Sequence, residues 1–273
     1  MMATVTLPPF VGMRSAPLHL PWAVSDALVI AKRILVRVLR SPEELASSTS
    51  TPIIFVLLFR YVFGGAIDVG RTGYVNYLMA GIFVQTVAIT SLAAGTGVAQ
   101  DLQSGLIDRL RSLPIARSAV VSGRVVATLV RSVFTLAVVA LVGVVVGFRP
   151  HGGPGAWTAA LGLLLLFGFA LAWVGIAAGL LLRNPEAVQN VAMTLVFPLT
   201  FLSSAFVPTS TLPGPLRVFV AAQPMTHVID AVRDLVLSRS PGMGAWAAVA
   251  WSAAILAVFA PLAVVAYGRA ASR

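Results

Sequence analysis

The sequence has no cysteine and very few acidic groups. Its 273 residues contain nine aspartates and glutamates, three histidines and a single lysine. The absence of cysteine excludes disulfides, thiolate metal sites and thiol catalysis. Charged residues make up only 10% of the chain, whereas a soluble domain has about 25%, and disorder requires low hydrophobicity and many charges. The composition therefore excludes an ordinary soluble domain and a disordered chain.

The residue types that catalysis requires are scattered along the chain. The histidines lie at positions 19, 151 and 227, and no metalloprotease, serine-hydrolase or paired-carboxylate spacing surrounds them. Lys32 does not follow a glycine-rich phosphate-binding loop. The pair Asp230 and Asp234, with Arg233 between them, could form a site, but the first interpretation is a solvated helix face that makes its own ion pairs. We therefore predict that the chain is not an enzyme and has no nucleotide site of its own.

Apolar residues are what the sequence has in abundance. They form 58% of the chain, and the mean hydropathy is +0.94. A helix needs about 20 mostly apolar residues to cross a bilayer. The apolar blocks therefore predict an all-α polytopic membrane protein with six spans, at about 45–66, 74–98, 120–148, 157–182, 188–206 and 245–267.

Residues 22–40, which precede the first span, have the pattern of an amphipathic helix. At 100° per residue, Arg33, Arg37 and Arg40 share one face, and apolar residues share the opposite face. A basic helix of this kind lies among the lipid headgroups at the membrane surface. Residues 1–21 contain no compact apolar stretch, so we expect a cytoplasmic N-terminal tail there and no cleaved signal peptide.

The net charge of +10 is explained better by a membrane than by nucleic acid. If both termini are cytoplasmic, twelve basic residues lie on the cytoplasmic side and five on the outer side. This asymmetry is the positive-inside bias of membrane proteins. We predict a multi-pass protein of the cytoplasmic membrane, with both termini in the cytoplasm and no nucleic-acid partner.

The cytoplasmic loop after predicted span 2, residues 100–115, has helical periodicity. Its apolar face carries Leu102, Leu106, Leu110 and Leu113, and Pro114 ends the pattern. A short amphipathic helix between two spans suits a groove on a partner protein. A helix that only rests on the membrane surface has the same spacing, so this alternative stays open.

The predicted spans contain no acidic residue or histidine, which weighs against a proton- or sodium-coupled transporter. Two arginines, Arg60 and Arg131, do lie in spans, and each is interpreted first as snorkelling to the nearer interface and second as functional. Uncharged polar residues in the spans are candidates for a transport pathway, although hydrogen bonding between helices is the first interpretation for any single one. The uncharged candidates are Gln85, Thr86, Thr90, Gln189, Asn190, Thr194, Ser203 and Ser204, and Arg60 is a further candidate.

Small residues form a stripe along predicted span 4. Gly168, Ala172, Gly175 and Gly179 are spaced by four, three and four residues, which places them on one helix face. A face of this kind lets a second helix backbone approach closely. The sequence therefore predicts tight packing at this face, without identifying the partner helix.

Three stretches match the pattern of a known family. The first is 52–65. The second is the loop 101–114 followed by Gly123 and Arg124, and the third comprises 183–186, 206–208, 223–226 and 231–233. In this order and spacing the chain, from Trp22 onward, resembles the permease subunit of ABC-2 type transporters, particularly the daunorubicin-resistance-type drug and lipid exporters.

The resemblance implies a single transmembrane domain over residues 22–273, with short outer helices between spans 5 and 6. It implies a coupling helix that contacts an ATPase through the residues Asp101, Gly105, Leu106, Asp108, Arg109, Leu110 and Pro114. It also implies a dimer with a second copy or a sister permease, and two ATPase subunits that bind ATP and Mg. The substrate would be an amphipathic drug or lipid. The alternatives are an ATP-independent carrier or channel and a lipid-modifying membrane enzyme.

Overall fold

The computed structural model describes residues 42–65, 73–105, 117–209, 212–237 and 242–270. In these ranges the chain is helical, with no strand. The predicted interfacial helix 22–40, with Arg33, Arg37 and Arg40, lies outside the described residues. So do Leu106, Asp108, Arg109, Leu110 and Pro114 of the predicted coupling helix.

Eight α-helices make up the described part of the chain. The first, α1 (Pro42–Leu58), begins at a proline, a residue that helices accept in their first turn. It continues as a π-helical stretch, Phe59–Phe63. The others are α2 (Tyr74–Gln103), α3 (Arg117–Val146), α4 (Pro154–Leu182), α5 (Pro185–Phe201), α6 (Gly214–Ala222), α7 (Pro224–Val236) and α8 (Met243–Ala270).

Four of these helices are long and apolar enough to cross a membrane: α2, α3, α4 and α8. The described part of the chain is therefore all-helical, and its long apolar helices are those of a multi-pass membrane protein. The segment Ser48–Phe63 of α1 is also apolar but shorter, and α5 has 17 residues. Two short helices, α6 and α7, lie between α5 and α8, as predicted.

Helix α2 is the centre of the fold. In its most apolar window 89% of the residues are buried, whereas 17% are buried in the corresponding window of α8. Helices α1, α3, α4, α5 and α7 all contact α2. The exposed apolar side chains of α3 and α8, such as Leu141, Val145, Val258 and Val264, form the outward surface that lipid would cover.

The predicted small-residue stripe of α4 packs against α2, and the prediction of tight packing is confirmed. A methyl group added at Gly175 would overlap the backbone carbonyl of Leu92, and one at Gly179 would overlap that of Gly95. Gly95 in turn faces the backbone of Gly175. The two helices therefore meet backbone to backbone, which is the close approach that small residues permit.

Two helices end at residues that differ from the predicted ends of their spans. Helix α2 continues to Gln103 instead of ending at 98, and it stops where Gly105 adopts φ +66, a left-handed conformation that glycine accepts at little cost. Helix α5 ends at Phe201 instead of 206. There the Ser203 hydroxyl donates to the Thr200 carbonyl and accepts from the Ala205 amide, which gives the backbone an alternative to another helical turn.

Candidate functional site

A cavity of about 310 Å³ opens between α1, α2 and α5, with one contribution from α3. Helix α2 provides most of the polar wall. Helices α1 and α5 provide mainly apolar or small polar residues, and α3 provides Arg131. The lining residues are Ser48, Thr51, Pro52, Phe55, Gln85, Thr86, Ile89, Thr90, Ala93, Arg131, Gln189 and Met193.

The cavity brings together four of the uncharged polar residues that were predicted as pathway candidates. Gln85, Thr86 and Thr90 follow one another along the buried face of α2, because i, i+1 and i+5 positions lie on neighbouring strips of a helix. Gln189 comes from the first turns of α5, where its amide oxygen accepts a hydrogen bond from Thr96 at 3.4 Å. The residues of the wall therefore come from two helices that are far apart in sequence.

Arg131 also lines the cavity. It lies near the middle of α3, roughly 20 Å from either end at 1.5 Å per residue. The side chain borders the cavity, which supports the functional interpretation that the sequence analysis gave as the second one for Arg131.

The remaining candidates lie elsewhere. Arg60 is in the π-helical stretch after α1, and Asn190 and Thr194 are exposed on α5. Ser203 is buried in the turn after α5, and Ser204 donates to the Asp230 carboxylate at 2.6 Å. None of these five borders the described cavity. In the described part of the chain, no group of three or more metal-ligating residues occurs.

A second feature lies where the loop after α2 begins. The Arg124 guanidinium forms an ion pair with the Asp101 carboxylate, and the two side chains are only 16% and 18% exposed, respectively. A side chain at Gly97, one turn before Asp101, would occupy the position of the Arg124 guanidinium. We call Asp101 and Arg124 the loop-base pair, because their ion pair joins the end of α2 to α3.

The same end of α2 also contacts the turn between α4 and α5. The Gln103 amide donates to the Arg183 carbonyl at 3.2 Å. Arg183 has φ 55 and ends α4, and the Asn184 side chain then caps α5 by accepting from the amides of Glu186 and Ala187. The short turn between α4 and α5 therefore contacts the same end of α2 as the loop-base pair.

At the opposite end of the helices, Arg233 of α7 is buried. Its side chain is 7% exposed, and it donates to the Asp230 carboxylate, the Tyr77 carbonyl and the Ser204 carbonyl at 2.6, 3.2 and 2.5 Å. Its guanidinium also lies 3.8 Å from the centre of the Tyr77 ring. The interpretation of a solvated face does not hold for Arg233, which is buried, whereas Asp230 is 45% exposed and does form an ion pair within the helix, with Arg233.

Two features that were not predicted, the burial of Arg233 and the space beside Gly97, can be related to the sequence. Arg233 lies directly after Ala231 and Val232, in a segment predicted on the side where arginine is disfavoured. Gly97 lies one helical turn before Asp101 and leaves room for a large partner. Neither signal identifies which distant residue fills the space.

Comparisons with known proteins agree with this architecture. The family model for the ABC-2 type transporter matches residues 26–237. The chain is 33% identical to the daunorubicin resistance ABC transporter permease protein DrrB1 of Streptomyces coeruleorubidus, over 90% of this chain and 87% of that protein. It is 28% identical to the probable doxorubicin resistance ABC transporter permease protein DrrC of Mycobacterium tuberculosis, over 94% and 96%.

A second protein of Mycobacterium tuberculosis, the doxorubicin resistance ABC transporter permease protein DrrB, is 25% identical over 70% of this chain and 69% of its own length. Both the family match and the similarity to DrrB1 extend through the helices that line the cavity and through the loop-base pair. The chain therefore belongs to the ABC-2 type transporter family.

Proposed function

We propose that this chain is the permease subunit of an ATP-driven exporter, and that its cavity receives an amphipathic drug or lipid for transport across the cytoplasmic membrane. The observation that carries the proposal is the cavity itself, in which a polar wall on α2 faces apolar side chains of α1 and α5. Such a combination suits a molecule with one polar and one apolar part. The names of the drug-resistance relatives support the same class of substrate.

The proposed topology has six spans and both termini in the cytoplasm. The four long apolar helices supply four spans, and α1 with its π-helical stretch and α5 with the turn that follows it supply the other two. Residues 42–63 have a length of about 33 Å at 1.5 Å per residue, enough for a hydrocarbon core of about 30 Å. Helices α6 and α7 would then lie on the outer side.

ATP and Mg are proposed to bind to separate ATPase subunits, which contact the loop that follows α2. The loop-base pair supports this assignment, because a force on the loop reaches both α2 and α3 through one ion pair. Residues Gln85, Thr86 and Thr90 lie on the same α2 helix. Movement of the loop would therefore be passed directly to the cavity wall.

A dimer with a second copy or with a sister permease completes the proposed assembly. The two similar permeases of Mycobacterium tuberculosis carry different names, which is consistent with a sister permease. Membrane lipids would cover the apolar faces of α3 and α8.

The test is the recovery of an ATPase from membranes of the native host with a tagged chain. Wild type is compared with the double variant Gly105→Pro and Leu106→Asp. Proline cannot adopt the positive φ of Gly105, and the aspartate interrupts the predicted apolar face of the loop. We expect the ATPase to co-purify with wild type and to be lost from the variant.

The matched control is Gly155→Pro with Ala156→Asp, at the other end of α4. These positions lie in the first turn of a helix, where proline and an acid are accepted, so the ATPase should be retained. All three chains must be present in the membrane fraction. An ATPase bound equally to all three would place the contact elsewhere, and absence of an ATPase from every sample would contradict the exporter assignment.

A second prediction concerns the loop-base pair. Reversing one charge, by Asp101→Arg or by Arg124→Asp, places like charges together in a site that is mostly buried. We expect each single variant to lower transport by about tenfold and the double reversal to restore most of it, because the pair is then re-formed. Transport into inverted vesicles measures the effect, and a double variant no better than either single one would contradict it.

A further inference from the structure

The cavity wall contains hydrogen-bond donors that have no partner. The Gln85 amide nitrogen, the Thr86 hydroxyl and the Arg131 Nε are all buried, and no hydrogen-bond partner for them exists among the described residues. Gln85 and Thr86 are only 3% and 4% exposed. Leaving a buried donor unpaired costs about 1–3 kcal/mol, so these three groups point to a ligand that accepts hydrogen bonds.

The charge of the cavity has one sign. Among the described residues that line it, Arg131 is the only charged one, and none is acidic. A cation in the interior of a membrane protein is costly unless an anion or a hydrogen-bond network compensates it. The attraction between Arg131 and an anion is strong there because the local dielectric constant is low.

The rest of the lining is mixed: Ser48, Thr51, Thr90 and Gln189 are polar, and an apolar part lies beside them. Pro52, Phe55, Ile89 and Met193 face the polar wall, and methionine adapts readily to irregular apolar groups. A free anion would leave these side chains without contacts. A ligand with an acidic, oxygen-rich headgroup and an attached hydrocarbon part would contact both walls.

We propose that the cavity binds the acidic headgroup of an amphiphile, a phosphate, sulfate or carboxylate, with Arg131, Gln85 and Thr86 donating to its oxygens and the apolar wall contacting its hydrocarbon part. This inference rests on the proposed function in one respect, namely that the bound molecule is also the transported one. It excludes a cationic amphiphile as the preferred ligand, since a positive charge beside Arg131 is repelled and finds no lining carboxylate among the described residues.

The test is equilibrium binding to the purified full chain in detergent, without an ATPase. The probe is a fluorescent lysophosphatidic acid, and the comparison probe is the same lipid with a phosphocholine headgroup. We expect lysophosphatidic acid to bind at least tenfold more tightly. Arg131→Gln should weaken its binding by at least tenfold and remove the preference, and Arg131→Lys should retain part of it.

Two further variants separate the site from general effects. Gln85→Leu keeps the volume and removes a donor, so it should weaken binding by about five- to tenfold, in line with a hydrogen bond to a charged group. Arg217→Gln removes one positive charge from the exposed face of α6 and should change nothing. Size-exclusion elution identical to wild type identifies folded variants, and Gln85→Leu keeps the inference testable if Arg131→Gln does not fold.

Four results would overturn the inference. Equal binding of the two lipids would show that the cavity does not select an acidic headgroup. Binding that neither Arg131→Gln nor Gln85→Leu weakens would show the same. If inorganic phosphate competes as strongly as unlabelled lysophosphatidic acid, the hydrocarbon part of the ligand does not contribute to binding. Tighter binding of daunorubicin, an amine, than of lysophosphatidic acid reverses the charge preference. Failure of ATPase recovery, in contrast, overturns the exporter proposal and leaves this binding result unaffected.

Discussion

Arg233→Ala is expected to lower the free energy of unfolding by about 3 kcal/mol, the largest effect of any single substitution considered. A hydrogen bond to a charged group contributes about 1.5–3 kcal/mol, and Arg233 makes three. The sum is not realised in full, because the Asp230 side chain is 45% exposed and water can replace the arginine there. Ser204 is buried, so water does not readily replace the arginine at its carbonyl.

The position of Arg233 explains why one side chain has this effect. It joins α7 to the start of α2 and to the turn after α5, three segments far apart in sequence. Gln223 acts nearby in a similar way, since its amide donates to the carbonyls of Leu199 and Leu202. Without Arg233, α7 keeps its apolar contacts but loses its main polar connection to the bundle.

Thermal unfolding in detergent measures the effect, and we expect the midpoint to fall by about 6–12 °C. Arg233→Lys should be intermediate, because an ammonium group does not reproduce three donors in a fixed plane. The control is Arg217→Ala on the exposed face of α6, which should change stability by about 0.5 kcal/mol or less. Similar midpoints for Arg233→Ala and Arg217→Ala would show that the buried network does not stabilise the fold.

Gly175→Ala and Gly162→Ala are expected to act in opposite directions, although both add one methyl group to α4. At Gly175 the methyl would overlap the carbonyl of Leu92, so α2 and α4 must separate, at a cost of about 1–3 kcal/mol. At Gly162 no atom lies within 4 Å of the new methyl, and the position is exposed. There alanine removes the helix penalty of glycine, up to about 1 kcal/mol.

The same unfolding measurement tests this pair. The midpoint should fall for Gly175→Ala and stay equal or rise for Gly162→Ala. Gly179→Ala should resemble Gly175→Ala, because its methyl would overlap the carbonyl of Gly95. A midpoint for Gly175→Ala at or above that of wild type would mean that the backbones of α2 and α4 do not approach each other as described.

The spans show which features of the fold can be predicted from the sequence. Apolar length predicted the positions of α2, α3, α4 and α8 to within a few residues at most ends, because a bilayer of fixed thickness sets that length. The two helix ends that differ from the predicted span ends were decided by local geometry. Gly105 ends α2 through its positive φ, and Ser203 ends α5 through its hydrogen bonds with Thr200 and Ala205.

The sequence predicted several of the polar residues that line the cavity, but not that they meet there. Gln85, Thr86, Thr90, Gln189 and Arg131 were all noted as polar groups in spans, together with others such as Asn190 and Ser203. Helical periodicity indicates which residues share a face, but it does not indicate which neighbour that face meets. The structure brings five of the group to one cavity and places Asn190 on the surface.

By itself, the sequence determined the class of this protein: an all-helical membrane permease without a nucleotide-binding motif, recognisable from apolar length, charge placement and family motifs. Only the tertiary structure decided which helices meet, that α4 packs on α2 through its glycines, that Arg124 pairs with Asp101, and that Arg131 borders a cavity. The reason is physical. Transfer of a segment into lipid depends on its own composition, whereas the pairing of buried groups depends on residues that the chain brings together only when it folds.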